Sequence, residues 1–226
     1  MLISIAIDGP AGAGKSTISR RLAADLGYIY VDTGALYRSI GLYAVRREAN
    51  PAKESEVIPL LSEITLDLRF IGGEQRVFLN GEDVSEGIRL PEISMAASSV
   101  SAIPAVRAFL FDLQRNMAKE HNIVMDGRDI GTVVLPDAPI KIFLTASAED
   151  RAMRRYKELL GKGVQADYEE VLRDLKQRDY NDSHREIAPL KAAEDAILAD
   201  TTGKELHESI AYLKNIVETR LRELHE

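Results

Sequence analysis

The chain has 226 residues, 45% of them hydrophobic and 29% charged, a length and composition that suit one soluble α/β domain with an insertion and exclude a disordered or fibrous chain. A formal net charge of −7 argues against a general grip on polymeric nucleic acid, which is normally met by a basic face, while a small anion can still be held by locally gathered positive charge. The absence of cysteine excludes disulfides and thiolate metal sites.

Ile3-Ser4-Ile5-Ala6-Ile7 is short and rich in β-branched residues and stops at Asp8-Gly9-Pro10, which predicts a strand running into a turn. Ser16 to Leu26 has helical spacing, with Ile18, Leu22 and Leu26 on one face. Between them, Gly9-Pro10-Ala11-Gly12-Ala13-Gly14-Lys15-Ser16, followed by Thr17, has the spacing of a phosphate-binding loop. Glycines let such a loop wrap a phosphate with converging N–H groups, and the following helix turns its positive end toward the anion. Lys15 adds a charge at the β- and γ-phosphates, and Ser16 a hydroxyl for Mg²⁺. Nucleoside triphosphate binding follows, with the acceptor left open: water, a hydroxyl or another phosphate.

A second strand is predicted at 28–31, ending in Asp32-Thr33-Gly34, and a helix from Ala35 to about Glu48. Thr33 also fits a plain amino-terminal cap. Ile64, Leu66, Leu68 and Phe70 alternate with polar residues, Gly72-Gly73 and Asn80-Gly81 are turn signals, and 75–79 reads as extended. About three antiparallel strands inserted into the α/β domain are expected. Further strands are predicted at 123–125, stopping at Asp126-Gly127-Arg128-Asp129, at 140–144 and at 196–198. Ser147 with Asp150, and Thr202 with Glu205, have the spacing of capping boxes, the second opening a terminal helix to Leu224. Strands alternating with helices imply a parallel sheet covered on both faces.

Arginines recur at the loop ends: Arg38, Arg128, the helical row Arg151, Arg154 and Arg155, then Arg178 and Arg185. Planar guanidinium groups suit phosphate oxygens, although single arginines of this kind also serve as solvated surface charge. Asp126 closes an apolar strand as a Walker B aspartate does, which fits a role on Mg²⁺ or its bound water. His121, His184, His207 and His225 have no metal-ligand spacing. No leader and no run near the roughly 18 apolar residues of a membrane span is visible, so a cytoplasmic protein without a membrane partner is expected, a monomer by default.

Four segments together resemble the bacterial cytidylate kinases, a family of P-loop nucleoside monophosphate kinases, over essentially the whole chain. They are Asp8-Gly9-Pro10 with the phosphate loop, Asp32 to Arg38, Asp126 to Val134, and Arg178-Asp179 through Asp182 to Arg185. The resemblance implies a three-layer P-loop NTPase-type α/β fold with five parallel strands in the order 2-3-1-4-5 and helices on both faces. It further implies a single kinase domain over 1–226, with the phosphate loop at 9–17, a monophosphate-binding region carrying the β insertion at about 35–115, and a helical lid at about 150–165. The implied reaction is transfer of the γ-phosphoryl group of ATP, with Mg²⁺, to CMP or dCMP, in pyrimidine nucleotide metabolism.

By position, the resemblance makes Ser98, Arg107 and Asp129 the readers of cytosine, Arg38, Arg128 and Arg185 the contacts of the acceptor phosphate, and Asp182 with Arg178 the ribose site. Thr33 and Tyr37 join the acceptor-binding residues. Lys15, Arg128, Arg178, Arg185 and the lid arginines Arg154 and Arg155 are the implied catalytic charges. Two other readings stay open from the residues themselves: a kinase acting on a hydroxyl, as shikimate kinases do, with Asp32 or Asp129 near the acceptor, and a nucleotide-driven switch, with Gln165 or Gln177 orienting water.

Overall fold

The computed structural model describes residues 2–72 and 74–224, so the Gly73 half of the Gly72-Gly73 turn and His225 lie outside the described residues. The chain forms two compact units, Met1–Ile29 with His121–Glu226, and Tyr30–Glu120.

The first unit is built on strands whose apolar residues run almost without interruption, as a strand buried on both faces requires. They are β1 (Ser4–Asp8), β6 (Ile123–Gly127), β7 (Ile140–Thr145) and β8 (Ile197–Asp200), and Ile5, Ile7, Ile123, Val124, Met125, Ile140 and Ile142 are each at most 1% exposed. With β2 (Ile29–Asp32) they make a five-stranded sheet in the order β2-β6-β1-β7-β8, that is, 2-3-1-4-5 among the sheet's own strands. β1 pairs in parallel with both β6 and β7, in a register that sets Asp8 opposite Gly127. The carboxyl ends of β1 and β6 therefore lie side by side, where an open parallel sheet holds its ligands. The unit's helices are α1 (Lys15–Leu26), α6 (Ala148–Gly161), α7 (Tyr168–His184) and α8 (Leu206–Glu223).

The second unit contains α2 (Thr33–Arg46), α3 (Glu54–Leu61), α4 (Pro91–Ser101) and α5 (Pro104–Glu120), with a three-stranded antiparallel sheet of β3 (Leu66–Ile71), β4 (Glu74–Leu79) and β5 (Glu82–Asp83). The expected alternation is present: Leu66 and Leu68 pair with the buried Leu79 and Val77. Asn80 and Gly81, at φ 50° and 84°, supply the two left-handed residues that a two-residue hairpin turn demands. Leu36, Ile40, Val100, Val106 and Leu110 pack with these strands into one core. Among the described residues no single helix is long and apolar enough to cross a membrane.

Two capping expectations are corrected. α8 begins at Leu206 and its capping box is made by Glu205 and Glu208, not by Thr202 and Glu205. The Thr202 hydroxyl instead donates to Asp200 (2.6 Å) and accepts from the Ser147 amide (2.9 Å). At α6, Ser147 does accept from the Asp150 amide, but the Asp150 carboxylate reaches the Gly203 amide (2.6 Å) rather than back to its own cap. In both cases a bond from an amide distant in sequence, Ser147 to the Thr202 hydroxyl and Gly203 to the Asp150 carboxylate, stands where a local capping bond is expected.

Candidate active site

The phosphate loop leaves β1 through Gly9, where a Cβ would lie 1.9 Å from the Leu144 carbonyl oxygen, so only glycine lets the chain pass β7 this closely. It enters α1 through Gly14 at φ 87°, a left-handed position without a side-chain cap for the first amides of the helix. Lys15, 6% exposed, folds back and donates from Nζ to the Pro10 carbonyl (2.8 Å). Burial, and then the neighbouring Arg128, push its ammonium down to about 7. An anion placed in the loop would oppose both influences by favouring the charged ammonium.

β6 delivers Asp126 beside α1, where the Ser16 hydroxyl donates to its Oδ2 at 2.9 Å. A hydroxyl and a carboxylate converging at a phosphate loop are the hard oxygen donors that suit Mg²⁺. Among the described residues there is no group of three or more His, Asp or Glu side chains able to hold a metal by themselves. This donor pair therefore fits an ion whose other ligands are phosphate oxygens and water.

Beyond Asp126 the first unit brings together much of the arginine and aspartate set read from the sequence. Arg128 Nε donates to Asp182 Oδ2 (2.8 Å) and Arg185 Nη2 to Asp129 Oδ1 (3.2 Å), the second pair having side chains only 5% and 6% exposed. Burial pushes the Asp182 carboxyl up, but Arg128, followed by Arg178 and Arg185, outweighs it and holds the group below the usual carboxylate range. Arg178 lies one α7 turn before Asp182.

The second unit carries the rest. Asp32 caps α2 by accepting from the Ala35 amide (3.0 Å) and pairs through its other oxygen with Arg38 (2.7 Å). Thr33 is thus the first helical residue, and capping falls to Asp32 instead. A Cβ on Gly34 would stand 2.9 Å from Arg38 Nη1, so the small residue makes room for the guanidinium. Arg107, 9% exposed, stacks over the Tyr37 ring at 5.7 Å and donates to the Ser101 carbonyl, one helical turn past Ser98 on α4.

Arg154 and Arg155, expected on a lid, both make contacts within the first unit. Arg154 donates to the carbonyls of Thr201 (2.7 Å) and Lys204 (3.2 Å), and Arg155 pairs with Glu158 on its own helix. Two further residues, given no site role from the sequence, bond to the phosphate loop or to the segment after β6. Arg151, 5% exposed, donates to Ala11 of the phosphate loop and to Ala146, and pairs with Asp179 on α7 (2.6 Å). Asp8 accepts from the amides of Ile130 (2.7 Å) and Gly131 (2.8 Å). The signals for Asp8 are its position at the end of a strand and its place in the Asp8-Gly9-Pro10 segment of the family resemblance, and Arg151 reads as one more member of an arginine row.

A strand, a phosphate loop and a helix within a parallel sheet of this order, with arginines and carboxylates gathered at the strand ends, define a P-loop phosphotransferase. The family model for cytidylate kinase matches residues 5–219, and the chain belongs to that family. Relatives named cytidylate kinase include those of Caldicellulosiruptor bescii, 52% identical with 91% of each chain covered, and Lactobacillus johnsonii, 48% identical with 97% of this chain and 95% of the relative covered. The relative from Caldanaerobacter subterraneus is 55% identical, covering 89% of this chain and 88% of its own. A solved structure of an uncharacterized protein from Eubacterium ventriosum, 14% identical and covering 96% of this chain and 98% of its own, superposes with a TM-score of 0.52 and shares the fold.

Proposed function

We propose that the protein transfers the γ-phosphoryl group of ATP to CMP, and to dCMP, yielding ADP and the diphosphate. The observation that carries this reading is the family match across residues 5–219, falling on a chain whose phosphate loop and arginine–carboxylate pairs end on adjacent strands. The acceptor phosphate, with a second pKa of about 6 by analogy with a phosphoserine, is already a dianion at neutral pH, so transfer needs no general base. The protein's task is positioning and charge stabilisation. Lys15 neutralises the β- and γ-phosphates of the donor, Arg38, Arg128 and Arg185 hold the acceptor phosphate, and Arg178 with Asp182 orients the ribose. Ser16 and Asp126 would hold Mg²⁺, which supplies positive charge to the phosphates when bound.

Ser98, Arg107 and Asp129 read the base. Cytosine offers an exocyclic amine to a carboxylate or hydroxyl, and its N3 and O2 accept from a guanidinium. Asp129 already accepts from Arg185, and a carboxylate has about four lone-pair sites, so it can serve an amine as well. Uracil presents an oxygen where cytosine has the amine, a mismatch of about 1–3 kcal/mol. Purified protein with ATP and, separately, CMP, dCMP, UMP, AMP and shikimate tests the reading by ADP release. Turnover is expected with CMP and dCMP, weakly with UMP; ADP release that needs no acceptor, or needs shikimate, overturns it.

A further inference from the structure

We propose that Asp8 is a positioning residue for phosphoryl transfer, setting the Arg128–Asp129 segment against the phosphate loop through its two bonds to the amides of Ile130 and Gly131. The proposal rests on the kinase reading above and adds to it a residue outside the phosphate-loop motif. Asp8 is the last residue of β1, one before Gly9, and only 4% exposed. Its two oxygens each take one amide, Ile130 N at 2.7 Å and Gly131 N at 2.8 Å, across 122 and 123 residues of sequence. Those amides open a single π-helical turn, Ile130–Val134, whose first donors have no partner within the turn and therefore need an outside acceptor.

The turn begins directly after the two residues it has to place. Arg128 and Asp129 carry the pairs to Asp182 and Arg185, so one carboxylate connects the start of the donor cradle to two α7-linked ion pairs. Strand pairing already fixes Asp8 against Gly127, but it ends there. The clamp extends that register past the sheet, where side-chain placement would otherwise follow a loop. The packing leaves little slack, since a Cβ on Gly131 would stand 3.2 Å from Lys141 Cδ and 3.4 Å from Asp8 Oδ2. Two donors converging on one group, one on each oxygen, call for an anion; burial pushes the Asp8 carboxyl up to about 6, with the Gly131 and Ile130 amides holding it down. An amide in its place offers one acceptor and turns a donor toward the second N–H.

Two variants separate positioning from simple support of the fold. Asp8→Asn keeps the shape and removes one bond; Gly131→Ala keeps the carboxylate and crowds one of its two donor residues, with a methyl group 3.2 Å from Lys141 Cδ and 3.4 Å from Asp8 Oδ2. For each, kcat and KM with ATP and CMP, binding of a fluorescent ATP analogue, and thermal unfolding are measured beside the wild type. For both, kcat is expected to fall at least roughly tenfold, with analogue binding within about twofold of wild type, since small misplacements near the reacting groups act on the chemical step. Lowered melting temperature with unchanged kcat in either folded variant makes Asp8 a structural cap and overturns the proposal. Loss of analogue binding in step with kcat assigns Asp8 to the donor cradle alone and also overturns it. If Asp8→Asn does not fold, Gly131→Ala decides; if neither folds, the bonds are a folding requirement and the positioning role falls. A wild type that releases no ADP with CMP refutes the kinase reading instead, so the two failures are distinct.

Discussion

Lys15 is a charge buried ahead of its partner. With 6% of its surface exposed and Arg128 nearby, the ammonium is held near the edge of ionisation, a state that an incoming triphosphate would relieve. Replacing it by an apolar chain of similar length removes the unfavourable burial together with the function. Lys15→Met is expected to raise the melting temperature of the nucleotide-free protein at neutral pH by a few degrees while phosphoryl transfer falls below detection; thermal unfolding and ADP release read the two effects. Asp129 bears a double load, an ion pair to Arg185 at 3.2 Å and the proposed amine of the base. Asp129→Asn should lower the preference for CMP over UMP by about tenfold to a hundredfold, leaving KM for ATP unchanged. Steady-state kinetics on both acceptors check this, and an unaltered preference would remove Asp129 from base reading.

At the level of elements, α2 and α4 approach each other through Gly41. A Cβ there would stand 3.0 Å from the Ala97 nitrogen and 3.1 Å from the Ala96 carbonyl carbon, backbone atoms that cannot rotate aside. Gly41→Ala should therefore destabilise the Tyr30–Glu120 unit by about 1–3 kcal/mol despite the better helix propensity of alanine, as a lowered urea midpoint would register. The elements also show where local patterns mislead. Thr202-Gly203-Lys204-Glu205 and Glu205-Leu206-His207-Glu208 both have capping-box spacing, and the second one forms. The Thr202 hydroxyl instead accepts from the Ser147 amide, 55 residues away, while donating to Asp200 two residues before it.

For the molecule as a whole, an acidic chain gathers its arginines at strand ends, so nucleotide binding brings opposite charge to groups that now hold one another. Ligands that bind only the folded state stabilise it by mass action. CMP at a hundred times its Kd should add about 2.7 kcal/mol to the unfolding free energy, and UMP at the same concentration clearly less. Thermal shift with both nucleotides, without ATP, measures acceptor recognition apart from catalysis; equal shifts would place the selection of base outside ground-state binding.

Features that depend on neighbours along the chain are legible in its residues. The glycine spacing of 9–14, the apolar runs of β1, β6 and β7, the period-two pattern of β3 and the Asn80-Gly81 turn each state their conformation through local sterics and burial, and each formed where it was read. Lys15, Ser16 and Asp126 were legible for the same reason, being attached to such elements. Which charges meet follows from the fold alone: Asp8 with Ile130 and Gly131, Arg151 with Ala11 and Asp179, Arg128 with Asp182, and Arg154 with the Thr201 carbonyl. No periodicity announces a partner 28 to 140 residues away; the sheet order, with β1 between β6 and β7, brings those groups within reach, and burial then compels each to find one.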